Sequence, residues 1–327
     1  MTGTAQPKRA AAIDVGTNSV LLTIAEAAPS APRALLERAT ITRLGEGVDR
    51  TRRLAPEAAA RTLSCLESYA RCIAEANVDA VAVVGTSALR DAGGADAFLA
   101  NVRSALGVEL EVISGMREAE LTFRGSVSGL SVGGSVTVFD IGGGSTEVIH
   151  GAFTSLEDGT QSVRIDSAES LNVGSVRLTE RHVTNDPVTP SELQAVQRDV
   201  DDALQTLPPA PSGSTLIGVA GTVTTLAALD ANLSSYEAER VHGSELTRAA
   251  LDRWVTELAA LPLARRAALP ALEPRRADVI VAGAVLTRQI VTWAGASRTL
   301  VSDRGVRWGL LEELLAETPA PRNTVTR

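Results

Sequence analysis

The sequence predicts an α/β protein made of two related halves that face one another across a cleft. Two acidic glycine turns carry this reading, A-A-I-D-V-G-T-N-S-V near the start and V-F-D-I-G-G-G-S-T-E-V-I in the middle. In each, an apolar strand delivers one aspartate, Asp14 or Asp140, into a turn of glycine and small hydroxyl residues, after which an alternating strand resumes. The order of strands and helices that follows the first turn then restarts at the second. Between them, G-L-S-V-G-G-S (Gly129 to Ser135) offers backbone freedom and little packing, as a hinge requires. The expected division is therefore 1–131 and 132–327, with cleft closure about that hinge.

Element by element, the first half reads as strands over Ala11 to Val15, Val20 to Ala25 and Ala34 to Thr42. Pro56 opens a long helix to Ala76, since proline suits a first helical turn. A buried strand A-V-A-V-V (Ala80 to Val84), a helix from Ala95 to Leu106, a strand from Val108 to Ile113 and a helix from Met116 to Ser128 complete it. Three meandering strands followed by alternating helices and strands imply a mixed sheet covered by helices. The second half repeats the plan with strands Val136 to Asp140, Thr146 to His150 and Ser162 to Ala168, helices Ser175 to Arg181 and Pro190 to Leu207, and a strand Thr215 to Val219. A turn-to-helix junction, G-V-A-G-T-V-T-T-L, comes next, and helices are expected to fill the remainder.

The chain has 327 residues, 44% of them hydrophobic, enough for a core in each half. Its most apolar run, Val279 to Leu286, is far shorter than the roughly 20 residues of a membrane span. The N-terminal T-G-T-A-Q-P-K-R lacks an apolar stretch after its basic pair and reads as a ragged end, so a cytoplasmic location without membrane attachment is expected. Cys65 and Cys72 lie seven apart in a helix, about 10 Å along its axis, too far for a disulfide. Three scattered histidines and no Cys-x-x-Cys exclude the usual zinc spacings, so a metal here is a hard cation on carboxylates. The net charge of −8 argues against nucleic acid and stands in tension with a polyanionic ligand. Local arginine clusters (Arg50, Arg52 and Arg53; Arg265 and Arg266; Arg275 and Arg276; Arg304 and Arg307) relieve that tension if some face the cleft, whereas solvated helix faces are the plain alternative.

In the first turn, Gly16 allows close approach while Thr17, Asn18 and Ser19 offer hydroxyl, amide and N–H donors; alone it is also the pattern of an ordinary hairpin. The second turn changes the balance. Three consecutive glycines, Gly142, Gly143 and Gly144, followed by Ser145, are poor structural choices between strands and make sense where another group must come near. Such turns hold phosphate oxygens, and the aspartates suit a divalent cation against the same phosphates. Glu147 adds a second carboxylate there or is a solvated strand residue. Gly221 and Thr222 open a helix after an apolar strand, either an anion cradle or an ordinary cap. Arg90, in G-T-S-A-L-R, follows a buried strand and suits bidentate phosphate clamping, with a salt bridge to Asp91 as the competing reading. Glu118, at the start of a helix, serves the helix dipole or orients a water; phosphoanhydride hydrolysis needs such a base, and no histidine is suitably placed.

Together, D-V-G-T-N-S, G-T-S-A-L-R, S-G-x-x-E-A-x-L, D-I-G-G-G-S-T-E, N-V-G-S-V-R-L-T-E, G-V-A-G-T-V-T-T-L, R-R-A-D-V-I-V-A-G-A and V-S-D-R-G-V-R-W-G resemble the exopolyphosphatase / guanosine pentaphosphate phosphatase (Ppx/GppA) family, in family order from residue 12 to about 311. The resemblance implies two ribonuclease-H-like, actin-like domains with the active site between them. It further implies Glu118 as the base that activates water, a Mg²⁺ set of Asp140 and Glu147 with Asp14 nearby, and phosphate binding by Asn18, Ser19, Arg90, Gly143, Gly144, Ser145 and the Gly221–Thr222 turn. The V-S-D-R-G-V-R-W-G run departs from the family's G-L-R-E-G type, leaving Arg304 and Arg307 without a firm role. The chain also stops where longer members continue into a further helical domain, which with the net acidity favours short polyphosphate chains as the expected substrate. Hydrolysis of the 5′-terminal phosphate of pppGpp is the first alternative; an ATP-dependent actin-like kinase and a non-catalytic phosphate or nucleotide sensor are the others. A homodimer is the expected assembly.

Overall fold

The computed structural model describes residues 7–28, 31–155 and 161–316. Residues 1–6, part of the stretch read as a ragged end, lie outside the described residues. In the first half, strands β1 (Arg9–Val15), β2 (Ser19–Glu26) and β3 (Arg33–Ile41) precede helices α1 (Val48–Thr51) and α2 (Pro56–Ala76). Strand β4 (Ala80–Gly85), helices α3 (Ser87–Asp91) and α4 (Asp96–Leu106), strand β5 (Leu110–Val112) and helix α5 (Gly115–Val127) follow. The second half holds β6 (Gly134–Ile141), β7 (Thr146–Ser155), β8 (Gln161–Leu171), α6 (Ser175–His182), α7 (Pro190–Leu204), β9 (Thr215–Val219), α8 (Ala220–Asp230), α9 (Ala238–Val241), β10 (Glu245–Thr247), α10 (Arg248–Ala260), α11 (Leu263–Arg266), α12 (Ile280–Trp293), β11 (Arg298–Val301) and α13 (Val306–Ala316).

These strands form two sheets with the orders β3-β2-β1-β4-β5 and β10-β11-β9-β6-β7-β8. In each, a three-stranded antiparallel meander continues into parallel strands: β1 runs parallel to β4 and β4 to β5, as β6 does to β9 and β9 to β11. Read from β8, the second sheet repeats the first and adds β10 at its edge. This is the ribonuclease-H-like plan, used twice. The C-terminal part is not all helical as expected, since β10 and β11 are strands within it. Three and four residues long, they give too short a pattern to read against their helical surroundings.

Local chemistry sets the element ends. Pro56 does open α2, which closes on Asn77 in the left-handed region (φ 50°), and its buried stripe includes Ala58, Cys65, Leu66 and Tyr69. Both cysteines are free. Helix α7 starts with a full capping box between Thr189 and Glu192. The apolar run Val279 to Leu286 becomes the start of α12, buried from Ile280 through Thr287 in the second core with Leu226, Leu251 and Leu258. Among the described residues no helix is long and apolar enough to cross a membrane.

The halves exchange their last helices. Helix α5 packs on β7 and β8 of the second sheet, through Ala119, Phe123 and Val127 against Val138, Ile149 and Phe153. Helix α13 returns to β1, β2 and β4, through Val306, Leu310 and Leu311 against Ala10, Ala12 and Val84. Where they cross, glycine lets the backbones touch: a Cβ on Gly125 would lie 2.1 Å from the Gly305 carbonyl oxygen, and one on Gly309 2.2 Å from that of Leu121.

Gly309→Ala therefore tests the crossing. Helix propensity alone favours alanine by about 1 kcal/mol, but overpacking against backbone costs about 1–3 kcal/mol or more. The expected outcome in thermal unfolding is a net destabilisation, lowering Tm by several degrees, while Gly133→Ala, facing open space, stays near wild type.

Candidate active site

The two acidic turns converge from opposite sheets onto one cleft. Its walls carry Asp14, Gly16, Thr17, Asn18 and Ser19 from the first turn, Asp140 and Gly142 to Ser145 from the second, Glu118 from α5, and Gly221 and Thr222 from α8. The hairpins are built alike, with the Gly16 N–H donating to the Ser19 carbonyl at 3.0 Å and the Gly142 N–H to the Ser145 carbonyl at 3.0 Å. In both, carbonyl oxygens are tied back away from the cleft. Thr17 O accepts from Gly45 N, and Asn18 O from Thr42 N and Arg43 N. Gly142 O accepts from Ser175 N, Gly143 O from Val176 N and Arg177 N, and Gly144 O from Arg177 Nε at 2.7 Å. Because C=O and the following N–H point opposite ways across a trans peptide, this arrangement turns the N–H groups after those carbonyls toward the cleft. Those of Gly143, Gly144 and Ser145 have no backbone acceptor among the described residues.

The turns also meet each other. A Cβ on Gly144 would lie 2.5 Å from Ser87 Oγ and one on Gly143 3.0 Å from Thr17 Cβ, so the triple glycine is needed where the second lobe touches the first. Gly174 supports it from behind: a Cβ there would lie 2.5 Å from the Gly143 carbonyl oxygen.

The acidic groups share one gap. Asp14 Oδ1 is buried with no hydrogen-bond partner. Burial first, then Glu118 and Asp140, push the Asp14 carboxyl up to about 8. Burial and Glu118 raise Asp140 to about 7, against a 3.1 Å hydrogen bond from Thr122 Oγ1. Glu147 pairs directly across the hairpin with Asp140, which places both side chains on one sheet face; the first hairpin has Leu21 opposite Asp14. Glu147 is 1% exposed and set behind the cleft wall, its Oε1 accepting from Ser170 Oγ at 2.7 Å, and burial with the Glu118 and Asp140 charges holds it well above the usual carboxylate range. Glu118 is buried as well, and burial outweighs the Arg90 charge, so its carboxyl also titrates high.

Arg90 stands behind Glu118 and does not line the cleft. Its Nη1 donates to Glu118 Oε2 at 2.6 Å and to the Ile113 carbonyl at 3.1 Å. At the third turn, Ala220 takes φ 74° and the Arg276 guanidinium occupies the space over Gly221, Nη1 lying 1.3 Å from where a Cβ would sit. A non-glycine residue held in that region is strained backbone of the kind found at functional sites.

Arg276 and Arg307, one from each of two arginine clusters noted in the sequence, line the cleft. Their clusters divide: Arg275 turns away to the Ile41 carbonyl, and Arg304 to Ser128 and the Trp308 ring. Thr86, Ser87, Ser175 and Asp303 also line the cleft. Ser87 and Ser175 stand inside motifs already noted, G-T-S-A-L-R and N-V-G-S-V-R-L, which were the available signal. A second chamber of about 550 Å³ opens beside the cleft, sharing Leu21, Gly221, Arg276, Asp303 and Arg307, with Ile41, Leu272 and Tyr236 on its walls.

The chain matches the Ppx/GppA phosphatase family over residues 23–318. It is 39% identical over 320 residues to exopolyphosphatase 2 of Mycobacterium tuberculosis, covering 92% of this chain and 97% of that one. It is 30% identical over 218 residues to a guanosine-5′-triphosphate,3′-diphosphate pyrophosphatase of Vibrio atlanticus, covering 67% of this chain and 41% of that one. Among solved structures, the Aquifex aeolicus member of the Ppx/GppA family superposes with a TM-score of 0.78 at 34% identity, covering 96% of this chain and 99% of that one.

The raised aspartates fix a pH dependence. A carboxyl titrating above its ordinary value holds extra protons in the folded state, so its contribution to stability is full below about pH 4 and is lost as pH rises toward about 8 for Asp14 and about 7 for Asp140. In chelator, Tm is expected to fall across that window more steeply for wild type than for Asp14→Asn; parallel profiles would contradict the shared gap.

Proposed function

Because the chain belongs to the Ppx/GppA phosphatase family, we propose that it is an exopolyphosphatase that removes the terminal phosphate of short inorganic polyphosphate with a Glu118-activated water. The observation that carries this is a buried glutamate set between two donor-lined turns of opposite lobes. Water attacks the terminal phosphorus, the bridging P–O bond breaks, and orthophosphate leaves with the chain one unit shorter. Arg90 holds Oε2 of Glu118 and leaves the other oxygen to take the proton of the water. The N–H groups of the Gly143 to Ser145 turn, with Asn18, Ser19 and Thr222, hold phosphoryl oxygens, and Arg276 and Arg307 add charge.

Asp14 and Asp140, with Glu147 behind them, fit a magnesium ion, since Asp14 Oδ1 lacks any protein partner and burial with the Glu118 charge raises both aspartates. Among the described residues no three acidic or imidazole side chains form a ready cage. That suits an ion that keeps several waters and completes its shell from substrate oxygens. Bound there, Mg²⁺ would neutralise charge on the phosphoryl oxygens.

Short chains are favoured because the cradles are confined to the interlobe gap, and in the adjoining chamber Glu37, Glu273 and Asp303 offset Arg38, Arg276 and Arg307, leaving no net positive wall for a long polyanion. The same chamber supports a second reading. Its apolar walls and Tyr236 suit a nucleoside, as hydrolysis of pppGpp would need. The likeness to the Vibrio atlanticus protein points the same way.

Phosphate release should fall about 10²- to 10⁴-fold in kcat for Glu118→Gln with little change in KM; retained turnover would remove Glu118 as the base. Arg90→Gln withdraws the cation that favours ionised Glu118, so the acid limb of kcat/KM should move up by about one pH unit. An unmoved limb would uncouple the pair. With equal concentrations of tripolyphosphate and pppGpp, faster release from pppGpp would favour the second reading.

A further inference from the structure

Beside the cleft, the lobes are tied by charges that the chemistry above does not use. The first turn of α6 already grips the glycine loop through the N–H groups of Ser175, Val176 and Arg177. The Arg177 side chain completes that grip at the Gly144 carbonyl and then spans the gap, Nη1 donating to Asp49 and Nη2 to Asp91 of the first lobe. Its side chain is 6% exposed. One turn on, Arg181 forks onto the same Asp49, Nε to Oδ2 at 2.9 Å and Nη2 to Oδ1 at 3.2 Å, while Glu180 Oε1 accepts from the Gly47 N–H at 3.1 Å. The Arg181 hydrogen bond, with the Arg177 charge, holds the Asp49 carboxyl below its ordinary range.

Asp91 is the last residue of the short helix α3, and its neighbour Arg90 is the residue that holds Glu118. One rigid turn thus carries both the guanidinium on the base and the carboxylate under Arg177. A buried guanidinium is stable only when paired. Parting the lobes strips Arg177 of both carboxylates and leaves it on the Gly144 carbonyl alone, so the closed cleft and the seated glycine loop are favoured together.

We propose that Arg177 is a positioning residue that clasps the lobes shut: by bridging Gly144 to Asp49 and Asp91, it holds the free enzyme in the donor-aligned state. This rests on the phosphohydrolase reading above. A substrate that binds only the closed state has an apparent Kd equal to the intrinsic one divided by the closed fraction. Breaking the clasp therefore raises KM and spares kcat at saturation.

The test uses the full-length enzyme with Mg²⁺ and tripolyphosphate, comparing wild type, Asp49→Asn, Arg177→Lys and the double variant, with small-angle scattering of each in the absence and presence of substrate. Asp49→Asn should raise KM by about 5- to 20-fold with kcat within about twofold, and should enlarge the free protein while substrate returns it to wild-type dimensions. Arg177→Lys should act in the same direction and more strongly, because it also loosens Gly144, and the double variant should be no worse than Arg177→Lys. Unchanged KM, strictly additive effects, or a fall in kcat at constant KM that follows loss of folded protein would overturn the clasp. If wild type releases no phosphate from tripolyphosphate or pppGpp, the functional reading fails instead; scattering then decides the clasp, and dimensions equal to wild type would overturn it.

Discussion

Three carboxylates drawn from both lobes line one gap with a fourth, Glu147, buried behind its wall, and the rest of the site answers the repulsion among them. Asp14, Asp140, Glu118 and Glu147 come from three strands and a helix; burial lifts all four above the ordinary range, and neighbouring carboxylates add to it at Asp14, Asp140 and Glu147. Such a cluster is costly in a protein that only needs to fold. In the proposed function a cation and a phosphate chain enter together, the cation offsetting the acids and the donors of the two turns offsetting the phosphates. This also removes the conflict between an acidic chain and a polyanionic ligand: Arg276 and Arg307 bring positive charge to the cleft while the net charge stays at −8.

The duplicated fold supplies the frame, and its broken symmetry supplies the chemistry. Each lobe gives an Asp–Gly hairpin closed by the same Gly-to-Ser backbone bond, and each gives a helix that crosses to the other sheet. The equivalents then diverge. Glu147 stands where the first hairpin has Leu21, so the acids accumulate on the second side. Glu118 occupies the first turn of α5, whereas the first turn of α13 brings Arg307. One crossing helix thus carries the proposed base and the other a guanidinium, and the backbones touch at Gly125 and Gly309.

Much of this was legible in the sequence because glycine and buried acid are expensive residues to place without a reason. Gly142 to Gly144 between two strands, echoed by Gly16, announced close approach, and the structure finds Ser87 and Thr17 pressed against that loop. The strands and long helices followed from periodicity and capping. What escaped depends on orientation that a sequence does not encode locally. Arg275 and Arg276 are adjacent and chemically alike, yet the Pro274–Arg276 turn aims one at the Ile41 carbonyl and the other over Gly221. Arg177 stands in the N-V-G-S-V-R-L-T-E motif at the start of a helix, but its partners Asp49 and Asp91 lie 128 and 86 residues away. Strands β10 and β11 gain their pairing from β9 and were too short to announce themselves.

In the proposed site one cation and one phosphate chain are gripped by both lobes at once. The most direct measurement of this is anomalous diffraction from crystals of Glu118→Gln grown with Mn²⁺ and tripolyphosphate. A manganese peak is expected between the Asp14 and Asp140 carboxylates, with phosphate density reaching both glycine turns. A metal held on one lobe alone, or phosphate lying outside the shared gap, would contradict it.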